Sequence, residues 1–160
     1  MHRPAVSAAP QLAAREMPPS ASRAAVLERV SSHWLMHMRA ALAPLDLTHA
    51  QARLLIATAW LSSRGHGVRQ SDVAAEAGTD PVMTSEVLRA LETRQLIARA
   101  PHPTDRRAKS ITVTVSGGAL ADRATRLVET AEKQFFEAGM DVFGVLAKAL
   151  KKGGRGNNST

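Results

Sequence analysis

VRQSDVAAEAGTDPVMTSEVLRALETRQLIARAPHPTDRRAKSITVTVSG, residues 68–117, is the stretch whose reading decides the fold. Within it, Gln70 to Ala77 puts Val73, Ala74 and Ala77 on one face. Gly78 follows, a residue that readily takes the left-handed backbone on which helices end. Asp80 and Pro81 then supply an N-cap and a first helical residue. The next helix carries Thr84, Val87, Leu88 and Leu91 at the spacing of a buried face, with Val82, Ser85, Glu86, Arg89 and Thr93 opposite. A short helix, a turn and a longer helix with one polar face make a helix-turn-helix.

Two strand candidates follow. Leu96 to Arg99 is short, and Ser110 to Val115 alternates, with Ile111, Val113 and Val115 on one face. Between them Pro101 to Lys109 is too polar and too marked by proline to bury. Two strands joined by a basic loop directly after a helix-turn-helix form a wing.

Here the chain resembles the MarR family of winged-helix transcription regulators. The resemblance rests on LTHAQARLL, VRQSDVAAEAG, TSEVLRALE, LIAR and TDRRAKSITVTVSGG in that order, and covers roughly Arg23 to Leu150. Its most specific part is Asp105, Arg107 and Ala108, then a strand, then Thr114 and Gly117. The resemblance implies that Arg107 enters the DNA minor groove and that Asp105 orients it. Many relatives carry Arg at the position of Glu86 and Gly at that of Gln95. The first departure bears on base preference and the second on how the recognition helix ends.

Working outward, Arg23 to about Leu42 reads as a helix with Val26, Val30, Trp34, His37 or Met38, and Ala41 along one stripe, and Leu27, Leu35 and Leu42 along a second. Pro44 ends it and Leu47 leads on. Thr48 and Gln51 form a capping-box pair for the next helix, whose core face is Leu54, Leu55, Thr58 and Leu61. A long helix from Val115 to about Ala138 places Leu120, Leu127, Ala131 and Phe135 near heptad spacing, and Met140 to Leu150 continues as a shorter segment. The terminal helices carry more apolar surface than the winged core can cover, so a second copy of the chain is expected to cover it. The expected fold class is mainly α with a small β-wing. Residues 48–115 form the DNA-binding domain, and 23–47 with 116–152 form an all-α dimerisation region. Residues 1–22 and 153–160 are read as a flexible arm and a flexible basic tail.

The 160 residues carry a formal charge of +7. Arg94 to Lys109 holds five cations and one acid, and Lys148 to Thr160 holds four cations and no acid. Those two stretches contribute +4 each, which leaves −1 for the rest of the chain. The charge is therefore concentrated where a wing meets phosphate. Cysteine is absent, which excludes disulfides, thiolate metal sites and the oxidation-sensing branch of the resembled family. Neither a membrane span nor a signal-peptide core is present in the sequence, and a cytoplasmic location is expected.

The expected DNA-facing residues are Gln70, Ser71, Val82, Thr84, Ser85, Arg89, Arg94, Asp105, Arg106, Arg107 and Lys109. Arg89 and Ser85 could equally face solvent, and Asp105 with Arg107 could be a solvated pair worth under ~1 kcal/mol. Trp34, His37, His49 and Trp60 are candidates to line a small-molecule effector site, with core packing as the alternative. His33 and His37, one turn apart, and His49 could hold zinc, but surface or interface histidines are the commoner case, so no metal or other cofactor is expected. There is no nucleophile elbow, phosphate loop or paired-carboxylate motif, so an enzyme is not expected. The expected function is sequence-specific regulation of transcription by a homodimer on double-stranded DNA, as a repressor released by a small-molecule effector. A DNA-binding architectural protein with little sequence preference is the alternative.

Overall fold

The structure, a computed structural model, describes residues 22–65, 68–101 and 109–137, with the backbone alone described at Lys109. Two compact units divide the chain, Met1–Met36 and His37–Thr160. Helix α1 is Arg23–Leu42, opened by Ser22, whose Oγ accepts the Ala25 N–H at 3.2 Å. Within the single chain its apolar stripes are only partly covered. Only Met38 and Leu42 are buried, while Val26, Leu27, Leu35 and Met36 stand exposed by about half or more.

In the unit from His37 onward, a 3-10 turn (Ala43–Leu45) leads through Asp46 to helix α2, His49–Arg64. The capping box is present as expected: Thr48 Oγ1 accepts the Gln51 N–H at 3.1 Å and Gln51 Oε1 accepts the Thr48 N–H at 3.0 Å. Leu54, Leu55 and Thr58 of α2 are fully buried, and the Thr58 hydroxyl is satisfied by donating to the Leu54 carbonyl at 2.7 Å. Helix α3, Gln70–Ala77, ends at Gly78 with φ 59°, and the Arg53 guanidinium donates to the Ala77 carbonyl there. Arg53 thus closes the last turn of α3 with a charge-assisted bond from another helix.

Helix α4, Pro81–Thr93, is capped by the Asp80 carboxylate, which accepts from the Val82 and Met83 N–H groups at 3.0 and 2.9 Å. Leu88 and Leu91 are fully buried and join Val73, Leu54 and Leu55 in one core. Strand β1 is Ile97–Pro101 and strand β2 is Lys109–Val113, antiparallel, with Ile97 opposite Val113 and Arg99 opposite Ile111. The Ile111 N–H also donates to the Val68 carbonyl at 2.8 Å, so the chain entering α3 adds a rung on the far side of β2. The expected second strand ran two residues too far. Thr114 turns to cap helix α5, Val115–Phe136, and Val115 becomes a first-turn residue 94% exposed instead of a strand residue facing the core.

Where α4 ends, the Leu96 N–H reaches back to the Leu91 carbonyl at 3.0 Å and the Gln95 N–H to the Glu92 carbonyl at 2.8 Å. This closure sets Gln95 at φ 57°, in the left-handed region where a side chain is strained. Gln95→Gly is therefore expected to stabilise the fold by about 0.5–1 kcal/mol, the relieved strain outweighing the greater freedom of the unfolded chain. Urea denaturation measures this, and a destabilised variant would show that Gln95 holds the turn through its side chain.

Candidate nucleic-acid interface

One face of α4 is left to solvent. Val82 is 69% exposed, Glu86, Arg89 and Thr93 are exposed, and Ser85 is half-buried at the edge. The other face carries Thr84, Leu88 and Leu91 into the core. Thr84 therefore leaves the set of expected DNA-facing residues. It is fully buried, donates to the Asp80 carbonyl at 2.7 Å and shares a 2.8 Å hydrogen bond with Thr79, so it locks the turn between α3 and α4. Ser71 is exposed and Gln70 half-buried on the first turn of α3, beside Asp72, whose carboxylate accepts the Arg69 N–H at 2.8 Å.

Arg94 has a structural partner. Its guanidinium donates to the Asp46 carbonyl at 2.7 Å and lies 3.6 Å from the Asp46 carboxylate, tying the end of α4 to the turn before α2. Asp46 itself sits at φ 51°. Asp105, Arg106 and Arg107 lie outside the described residues, as does the Lys109 side chain, and so do the arm 1–21 and the stretch 138–160.

The base of the wing is held to the recognition helix by two connections that were not anticipated. Thr114 Oγ1 contacts the Gln95 and Leu96 carbonyls at 2.8 and 3.1 Å and accepts the Gly117 N–H at 3.0 Å, while the Thr114 N–H donates to the Leu96 carbonyl at 3.1 Å. Arg99 points inward from β1, on the side of Ile97, with its Nε 3.2 Å from the Glu92 carboxylate of α4. That contact is one of charge without hydrogen-bond alignment, since neither Nε nor Nη2 has an acceptor. Period-two alternation from buried Ile97 could have revealed the inward Arg99, because residue i+2 of a strand shares its face. Together the two connections tie α4 to the base of the wing.

Of the expected effector residues, His37, His49 and Trp60 belong to the second unit. His37 Nε2 lies 3.1 Å from the Ala131 carbonyl, with the Phe135 ring 5.6 Å away. Trp60 is exposed and carries the Arg64 guanidinium 4.0 Å above its ring. His49, half-buried at the start of α2, is held below its usual range by burial and by the Arg53 charge. A histidine depressed in the folded state is protonated more readily when unfolded, so its share of stability is lost as pH falls below about 6.5. Trp34 belongs to the first unit and is half-buried. A shallow depression of about 290 Å3, lined by Pro44, Leu45, Arg123, Arg126 and Leu127, includes none of these four. Among the described residues no group of three or more His, Cys, Asp or Glu side chains is placed to hold a metal, and no helix is long and apolar enough to cross a membrane.

This arrangement has close counterparts. The family model described as MarR family matches residues 47–109, from just before α2 to the first residue of β2. An HTH-type transcriptional regulator of Bacillus subtilis, YdcH, is 34% identical over 122 residues, which cover 76% of this chain and 83% of YdcH. The chain belongs to the MarR family. MarR-family proteins are DNA-binding transcription regulators and not enzymes, and this chain is one of them. Among solved structures, CouR of Rhodococcus jostii RHA1 bound to p-coumaroyl-CoA is 29% identical with a TM-score of 0.68, over 88% of this chain and 96% of that one. The repressor CouR bound to a 23-mer DNA duplex is 28% identical with a TM-score of 0.67, over 83% and 92% of the two chains. The mainly helical fold with a two-stranded wing is thus that of the MarR winged helix.

Proposed function

We propose that this MarR-family regulator is a cytoplasmic, homodimeric repressor that binds a pseudo-palindromic promoter site and is released by a small-molecule effector. The observation that carries the reading is the exposed polar face of α4, joined through Thr114 and Arg99 to the base of a basic wing. A helix free on one side and tied to the base of the wing can lie in the major groove while the wing reaches the adjoining minor groove. Val82, Ser85 and Arg89 then face base edges, Gln70 and Ser71 approach the backbone, and Arg106, Arg107 and Lys109 supply wing contacts. Arg94, already bonded to Asp46, contributes positive charge beside them.

Dimerisation is supported by the apolar side chains left exposed on the terminal helices, Leu27, Leu35 and Met36 of α1 and Phe136 of α5. Surface of that kind is commonly covered by a second subunit. In this reading residues 23–47 and 116–152 build the dimer body and 48–115 bind DNA. Two-fold symmetry sets half-sites about one helical turn apart, near 10 base pairs. The repressor role and the small-molecule ligand are carried over from CouR, a transcriptional repressor bound to a DNA duplex in one structure and to p-coumaroyl-CoA in another, and release from DNA by such a ligand is the step added here.

The deciding experiment measures affinity for a palindromic promoter duplex against random duplex at one salt concentration, alongside sedimentation without DNA. A dimer that prefers the palindrome by about 1000-fold or more is expected. Equal affinity for both duplexes would make it an architectural protein, and a well-folded monomer at micromolar concentration would remove the two-fold reading. Within the site, Arg89→Ala is expected to lose roughly 1–3 kcal/mol and to relax preference at one position per half-site. A uniform loss on every sequence would place Arg89 on phosphate instead.

A further inference from the structure

The charges on α4 are an odd set for a helix that approaches DNA. The Asp80 carboxylate already occupies the Val82 and Met83 N–H groups, so the amides that would bind a phosphate at this helix end are taken by an anion of the chain itself. Glu92 is held by Arg99. Glu86 remains, exposed in the middle of the outward face, one turn from exposed Val82 and three residues before Arg89, with no cation within ion-pair distance among the described residues. Near a phosphate such a carboxylate is repelled. In the groove it is favoured opposite a hydrogen-bond donor.

We infer that Glu86 is a specificity-determining residue that accepts a hydrogen bond from the N4 amine of one cytosine in each half-site. The inference rests on the DNA-binding reading above and adds the base. The chemistry of the major groove selects among the four. Guanine offers only the N7 and O6 acceptors, and thymine offers the O4 acceptor and a methyl group. Adenine sets its N7 acceptor beside its N6 donor, whereas cytosine offers a donor alone. A carboxylate, which only accepts, is matched by cytosine and opposed by an acceptor on each of the other bases. Arg89, about 4.5 Å further along the helix axis, is placed for the neighbouring base step, where a guanidinium matches guanine. The pair therefore separates two readings that a helix with cations alone would merge.

The test uses the full-length protein with Glu86→Ala and Glu86→Gln, each selecting duplexes from a randomised pool at fixed salt, followed by titration. Glu86 is exposed and caps nothing, so both variants are expected to melt with wild type. Wild type should select half-sites with one cytosine whose replacement weakens binding about tenfold or more. Glu86→Ala should bind the original and replaced sites nearly equally. Glu86→Gln should move the preference at that position towards adenine, since an amide both donates and accepts. If both variants keep the wild-type preference at every position, Glu86 does not read a base and the inference fails, even should they bind all DNA more tightly. If wild type selects no sequence at all, the regulator reading itself fails and this inference falls with it.

Discussion

Gly117→Ala is expected to destabilise the protein by about 3 kcal/mol or more, far beyond the usual effect of adding a methyl group to a helix. The reason is a close approach of backbone to backbone. A Cβ at Gly117 would lie 1.8 Å from the Leu96 carbonyl oxygen, 2.8 Å from its carbon and 2.9 Å from Val113 Cγ2. Two of those atoms belong to the main chain and cannot rotate away. That carbonyl also accepts the Thr114 N–H, so displacing it disturbs bonds worth about 1 kcal/mol each at the joint between recognition helix, wing and α5. Gly118→Ala is the matched control. Its added Cβ meets nothing within 4 Å, and Ala in an open helix position is expected to stabilise by up to about 1 kcal/mol. Thermal melting of the two variants side by side checks the claim. A Gly117→Ala protein within about 0.5 kcal/mol of wild type would show that the joint is not tight.

Arg107→Ala is expected to weaken DNA binding by an order of magnitude or more and to leave melting temperature and sedimentation almost unchanged. Arg107 lies in the loop between β1 and β2, whose ends are paired at Pro101 and Lys109 above the buried Ile97 and Ile111. A narrow A·T-rich minor groove concentrates negative potential and favours an inserted guanidinium, though its edges carry little base code. The sharper variant is Asp105→Ala. Charge alone says that deleting an acid near phosphate strengthens binding. If Asp105 holds the guanidinium ready, its loss raises the ordering cost and binding weakens. Fluorescence titration at fixed salt decides, and an Asp105→Ala protein that binds more tightly than wild type ends the orienting role.

Much of this protein was legible in its residues because the signals were local. Asp80 with Pro81, Thr48 with Gln51, and Gly78 each act within a few positions, through a cap or a turn whose partners are neighbours in the chain. The alternation of Ile111 and Val113 and the stripe of Leu88 and Leu91 likewise need only a period to be read. What tertiary structure decided is of another kind. Thr84 stood both in the buried stripe and among the expected DNA-facing residues, and the packing of α3 against α4, with the Thr79 hydroxyl 2.8 Å away, decides for the core. Val115 continued a strand pattern until Thr114 found the Leu96 carbonyl and became a cap. Val26, Leu27 and Leu35 repeat as a buried face does, yet they stand exposed, because burial depends on which surface arrives opposite them. Gly117 stood in the sequence as part of a family pattern, and its physical reason, a main-chain oxygen 21 residues earlier, exists only once the chain is folded.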